Sequence, residues 1–261
     1  MPTLFHGYGA VDVSSCAVLA VAQGVTVVLP RRPRRLGLRI SHAWAAVLPP
    51  AAFFATVLAL VVRPSLAAPF AIAASVAVPV LGALAMAAFA RGGRPPRALL
   101  VVPLGVLAAL NSGVAGELAI LGLVMLSAVA LGSLLAGAAP MKELAIGAVL
   151  LAVLDLALVH SGEIRIASSA LLDVHVGLPD FAQPQLGARN IGYGDFFVAA
   201  LAGAVAASTP SRQTLVALAT TGFALLQYAL SSSGDLLPAT VPVAVALLLV
   251  ALVTKMVRYT N

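Results

Sequence analysis

Two carboxylates lie in stretches of this chain where water is scarce. Asp155 sits inside Ala152-Val153-Leu154-Asp155-Leu156-Ala157, and Asp195 opens the apolar run in Gly192-Tyr193-Gly194-Asp195-Phe196-Phe197. A carboxylate in such a setting is costly to ionise, so it faces a bundle interior or a water-filled cavity and marks a proton, ion or substrate site. The purely structural alternative is a protonated Asp that hydrogen-bonds between helices. Taken as a pair the residues say more. Two like charges held together in a low dielectric cannot both ionise easily and tend to share one proton. One carboxylate can then take a proton from water while its protonated partner donates to a carbonyl. The water attacks without any covalent enzyme intermediate.

The elements that position these residues follow from composition. With 61% hydrophobic and 9% charged residues and a mean hydropathy of +1.07, the chain has too few polar groups to coat a soluble globule. A bilayer core takes about 20 apolar residues per helix. Apolar segments run at roughly 13–30, 43–62, 66–90, 98–110, 117–138, 143–160, 192–209, 213–231 and 237–257. The expectation is an all-α polytopic transmembrane helix bundle of about nine spans, or eight if the short fourth segment is re-entrant. It forms a single membrane domain over 1–261, with N-terminal helices in 1–140 and the carboxylate-bearing helices in 141–261. Abundant Ala, Gly and Ser suit close helix packing in lipid.

Charge gives an orientation. No basic residue precedes the first segment, and Arg31, Arg32, Arg34 and Arg35 follow it, unlike a cleaved signal peptide. With nine spans and the N-terminus outside, these four join Arg39, Arg91, Arg94, Arg97, Lys142, Arg212, Lys255 and Arg258 on the inner side. That is 12 of 15 basic residues, with Arg63, Arg165 and Arg189 left outside. The C-terminus is then cytoplasmic. High Ala, Arg, Gly and Val usage fits a prokaryotic cell membrane.

Depth connects the two carboxylates. Asp155 precedes His160, near the outer end of the sixth segment, by five residues, or about 7–8 Å at 1.5 Å per residue. Asp195 lies a similar distance past the start of the seventh. Antiparallel neighbours would hold both at one level. Gly192-Tyr193-Gly194-Asp195 matches the GxGD signature of intramembrane aspartyl proteases, and Pro238-Ala239-Thr240 at the head of the last segment looks like their Pro-Ala-Leu motif. The order of these motifs over 143–257 resembles the presenilin and signal peptide peptidase family. Two positions differ: Leu154 stands where the family usually has tyrosine, and Thr240 where it has leucine.

The resemblance implies an intramembrane aspartyl endopeptidase with Asp155 and Asp195 as its dyad. Gly192, Tyr193, Gly194, Pro238, Ala239 and Thr240 would be its motif and substrate-binding residues. It also implies transmembrane peptides or signal-peptide remnants as substrates. Gly192 and Gly194 would let a substrate strand approach and the chain bend before Asp195. A carbonyl freed by Pro238 or Pro242 would point at the site. Three alternatives remain: a prepilin peptidase, which also has GxGD, a proton-coupled transporter in which the aspartates carry protons, and a catalytically inactive relative of the family.

The remaining polar residues add less. In the long connection 161–191, the alternation in Glu163-Ile164-Arg165-Ile166 and Asp173-Val174-His175-Val176 is open to two readings: β-strands able to hold an unwound substrate by strand addition, or a loop without catalytic part packed on the outer surface. Glu117, His160, Asp180 and Asp235 fall at interfaces or in loops. No cofactor is expected, and no metal either, because HExxH and Cys-rich patterns are absent. Cys16 reads as a helix-packing residue. The basic clusters are explained by membrane topology and not by nucleic acid.

Overall fold

The computed structural model describes residues 13–33, 35, 37, 39–111, 113–174, 176–187, 189–230 and 238–260. Arg34, His175 and Asp235 lie outside these described residues, and so does Leu237 ahead of the Pro-Ala-Thr motif. Among the described residues the chain is almost wholly helical: α1 (Val13–Val28), α2 (His42–Val62), α3 (Ala67–Leu84), α4 (Val101–Leu110), α5 (Val114–Ala138), α6 (Met141–Ser161), α7 (Glu163–Leu172), α8 (Tyr193–Ala206), α9 (Pro210–Leu230) and α10 (Thr240–Thr260). A two-stranded antiparallel hairpin, β1 (Gln185–Leu186) and β2 (Arg189–Asn190), precedes α8. Short helical turns extend α3 at both ends, and one leads into α4.

Among the described residues five helices are long and apolar enough to cross a bilayer: His42–Val62, Pro64–Phe89, Val114–Ala138, Met141–Ser161 and Pro210–Leu230. The other expected segments are shorter apolar helices, at Ser14–Val28, Pro95–Leu110, Tyr193–Ala206 and Thr240–Thr254. The last helix, α10, itself runs on to Thr260, but elsewhere an apolar run can continue past the point where its helix ends. The run at 192–209, for instance, forms helix only over Tyr193–Ala206.

Side-chain size is distributed as a lipid solvent requires. Val76, Leu99, Leu110, Leu218 and Leu230 project outward, whereas the interior is built largely from alanine and glycine. Lipid is as apolar as leucine, so small residues win the interior by letting backbones approach. On α8, Phe196 and Val198–Ala202 are all buried. A Cβ on Gly132 of α5 would come within 3.0 Å of the Leu201 backbone nitrogen, and one on Gly203 of α8 would run into the Val27 carbonyl of α1. These close approaches lock α8 between α1 and α5.

Backbone and side-chain hydrogen bonds gather four connections at one end. Arg31 donates to Phe89 and Arg91 to Leu29, joining the chain after α1 to the chain after α3. Ile40 donates to Ala138, and His42 Nδ1 meets Glu143 Oε1 at 2.7 Å, which adds the α5–α6 turn. The Arg91 guanidinium donates to Gln213 Oε1 and brings in the start of α9. Arg31, Arg32, Arg39, Arg91, Arg94, Arg97, Lys142 and Arg212 all belong to this end. The opposite end carries Arg63, α7 and the hairpin.

The connection 161–191 corrects the strand expectation. Glu163–Ile166 is the first turn of α7, not a strand, and Asp173, Val174 and Val176 carry no strand pairing. Gly162, at φ 84°, ends α6 and lets α7 start at once in a new direction. Glu163 then stands in the first turn of α7, where a negative charge is favoured. Alternation over four residues is too short a signal to overcome this helix start.

Candidate functional site

Three helices from the C-terminal part pack on one another and converge on one spot. Asp155 lies six residues before the end of α6, Asp195 is the third residue of α8, and Thr240 is the first residue of α10. Asp155 is buried and Asp195 half-buried. Both line one cavity of about 1030 Å³ together with Gly192, Tyr193, Gly194 and Ala239.

Each carboxyl has a defined partner. Thr240 Oγ1 donates to Asp155 Oδ2 at 2.6 Å, and the Gly192 N–H donates to Asp195 Oδ2 at 3.0 Å. The second bond is a helix-start contact in which Asp195 reaches back over the first turn of α8. The Tyr193 hydroxyl accepts from Ser127 Oγ of α5 at 3.3 Å, so its ring is turned towards α5. The sequence motif is thus partly a site and partly a helix start.

Two expectations about the motif residues are corrected. Gly192 has φ −73° and ψ 150°, ordinary extended backbone, so bending before Asp195 does not require glycine. A Cβ there would sit 3.3 Å from Asp195 Oδ2, and one on Gly194 would touch the Phe53 ring at 3.4 Å. The glycines therefore give room to the carboxylate and to α2. The carbonyl that Pro242 frees, that of Pro238, does not point freely at the site either, and the one that Pro238 would free lies outside the described residues. Pro238 O accepts from Gln227 Nε2 at 3.3 Å, and Ala239 O from Gln23 Nε2 at 2.9 Å. These glutamines lie in α9 and α1 respectively, and sequence reading passed over both. Their only signal is a polar amide in an otherwise apolar helix.

The loop before α8 is ordered by local bonds. Asp180 Oδ1 accepts from the N–H groups of Ala182 and Gln183 at 3.0 and 3.1 Å, and burial pushes its carboxyl above the usual range. Ile191 donates to the Pro184 carbonyl and Tyr193 to that of Ala182. Phe181, Leu186 and Ile191 are buried in the same core as α5. Gly187, at φ 60°, turns the hairpin, and its N–H donates to Glu117 Oε2 at 2.9 Å. Glu117 thereby ties the loop that carries Asp195 to α5. Glu117→Ala should weaken this tie by about 1 kcal/mol, giving roughly fivefold faster amide exchange at Gly187, while Glu117→Gln keeps an acceptor and most of the protection. Unchanged exchange in the alanine variant would show that the hairpin holds itself.

The cavity is mostly apolar. Phe53, Thr56 and Leu60 of α2, Phe70 and Ala77 of α3, and Leu131 of α5 line it. Tyr228 of α9 adds a phenol to the cavity wall. Among the described residues no group of three or more His, Cys, Asp or Glu could hold a metal ion. Cys16 is buried, as a packing residue would be. What the arrangement offers is a pair of carboxyls at the wall of an apolar cavity. Neither a protein-family model nor a curated protein nor a solved structure matches this chain.

Proposed function

We propose that this protein is an intramembrane aspartyl endopeptidase, in which Asp155 and Asp195 activate water to hydrolyse a peptide bond in a transmembrane segment. The observation that carries the reading is the meeting of both carboxyls at one apolar cavity, although 40 positions separate them in sequence. One ionised and one protonated carboxyl supply the base for water and the acid for the scissile carbonyl. A cavity of about 1030 Å³ accepts roughly two turns of helix, or a longer extended stretch. Its walls suit an apolar substrate segment.

The membrane placement belongs to the same proposal. All nine apolar segments cross the bilayer, with the N-terminus outside and the C-terminus in the cytoplasm of a prokaryotic cell. Support comes from the gathering of the α1–α2, α3–α4, α5–α6 and α8–α9 connections at one basic end. The presenilin and signal peptide peptidase resemblance fits this arrangement, with type II transmembrane segments or signal-peptide remnants as substrates.

The test is incubation of the purified protein in lipid with a labelled type II transmembrane peptide, the products being read by mass. Cleavage inside the apolar segment is expected. If the peptide stays intact while vesicles containing the protein show proton-dependent solute flux, the proteolytic reading fails and transport replaces it.

A further inference from the structure

The residue beside Asp155 is Leu154, which has no hydroxyl to orient the carboxyl. The hydroxyl comes instead from Thr240, 85 positions away, over 2.6 Å, and both side chains are buried, at 1% and 5% exposure. A hydrogen bond this short and dry fixes a carboxyl rotamer far better than a solvated one does.

Thr240 is itself held. Pro242 has no N–H to give the carbonyl four residues earlier, which leaves the carbonyl of Pro238 without its usual helical partner. The Val241 N–H reaches that carbonyl at 3.1 Å and Gln227 Nε2 at 3.3 Å. Gln23, fully buried in α1, takes the neighbouring carbonyl of Ala239. Two amides from two helices thus grip the two peptide units that precede Thr240.

We infer that Thr240 is a positioning residue for Asp155: its hydroxyl binds Oδ2 and fixes how the carboxyl is presented to substrate water, with Gln23 and Gln227 holding the Pro238-Ala239 backbone that delivers it. The inference rests on the proteolytic reading for its functional consequence but not for its geometry. In this chain the leucine before Asp155 and the threonine of the Pro-Ala-Thr motif belong together, because the second supplies the orienting group that the first lacks.

Three variants test it. Thr240→Val keeps the shape and removes the hydroxyl; Thr240→Ser keeps the hydroxyl and removes a methyl. A packing role predicts that valine is tolerated better than serine, and a positioning role predicts the reverse. Thr240→Val should lower kcat by about 10- to 100-fold, or about 1.4–2.7 kcal/mol, with KM within about twofold. Thr240→Ser should recover to within about threefold of wild type. Gln23→Leu, which loosens the backbone grip, should fall between the two. Valine as active as wild type, or serine worse than valine, overturns the inference. Infrared difference spectra supply a second readout that needs no turnover. The carboxyl band that Asp155→Asn abolishes should shift in Thr240→Val and stay put in Thr240→Ser. If the wild type cleaves nothing yet this shift occurs, proteolysis is wrong and the orienting bond stands. If the band is unmoved in both variants, the bond itself is refuted.

Discussion

Asp155→Asn and Asp195→Asn should each reduce peptide cleavage by about 1000-fold or more, while the purified proteins keep their melting temperatures. Asparagine has the size of aspartate and retains a carbonyl oxygen. Thr240 can therefore still donate to position 155, and the Gly192 N–H to position 195, so the local structure has no reason to change. What disappears is the exchangeable proton. One variant leaves no base to take a proton from water; the other leaves no acid to protonate the scissile carbonyl. Because the two groups act as a unit, the double variant should be at most about tenfold worse than either single one. Full additivity would mean that the carboxyls work independently, which a shared cavity wall does not favour. Wild-type cleavage in either single variant would sink the dyad. Initial rates in lipid, with products identified by mass, distinguish these outcomes, and thermal unfolding confirms that each variant is folded.

The helical bundle and the meeting of Asp155 with Asp195 were legible in the sequence for physical reasons. Apolar runs long enough for lipid become helices because no other backbone state satisfies its own hydrogen bonds there. A carboxylate in such a run stands out because its cost must be matched by a use. What could not be read were partnerships between distant polar side chains. Gln23, Gln213 and Gln227 are uncharged and scattered, and only the packing of α1 against α9 and of α9 against α10 gives them carbonyls to bind. Thr240 was noticed as part of a motif, but its bond to Asp155 depends on where α10 begins. The loop before α8 misled through alternation: Glu163–Ile166 has a strand's pattern and a helix's start signal, and the start signal won. Glu117 looked peripheral until the hairpin closed over it.

Gln213→Leu should produce the largest loss of stability of any single side-chain change outside the cavity, lowering the melting temperature in detergent by roughly 10 °C. Gln213 is fully buried at the start of α9. Its Nε2 lies 2.7 Å from the carbonyl of Val27, 2.9 Å from that of Pro30 and 3.3 Å from that of Val28, and its Oε1 accepts from Arg91. The last carbonyls of a helix have no partner within it, so this glutamine caps α1 from another helix. Leucine fills nearly the same space but strands two or three buried carbonyls and the Arg91 donor. At about 1–3 kcal/mol for each unsatisfied group, the total is roughly 3 kcal/mol or more. Arg91→Ala removes one bond of the set and should cost less. This cluster sits at the basic end of the bundle, opposite Asp155 and Asp195, so at a temperature where Gln213→Leu is still folded its kcat should stay within about threefold of wild type. A melting point unchanged within about 2 °C would mean that the α1 carbonyls find other partners. A large fall in kcat without loss of fold would mean that the two ends of the bundle are mechanically linked through α1, whose Gln23 grips the backbone leading to Thr240.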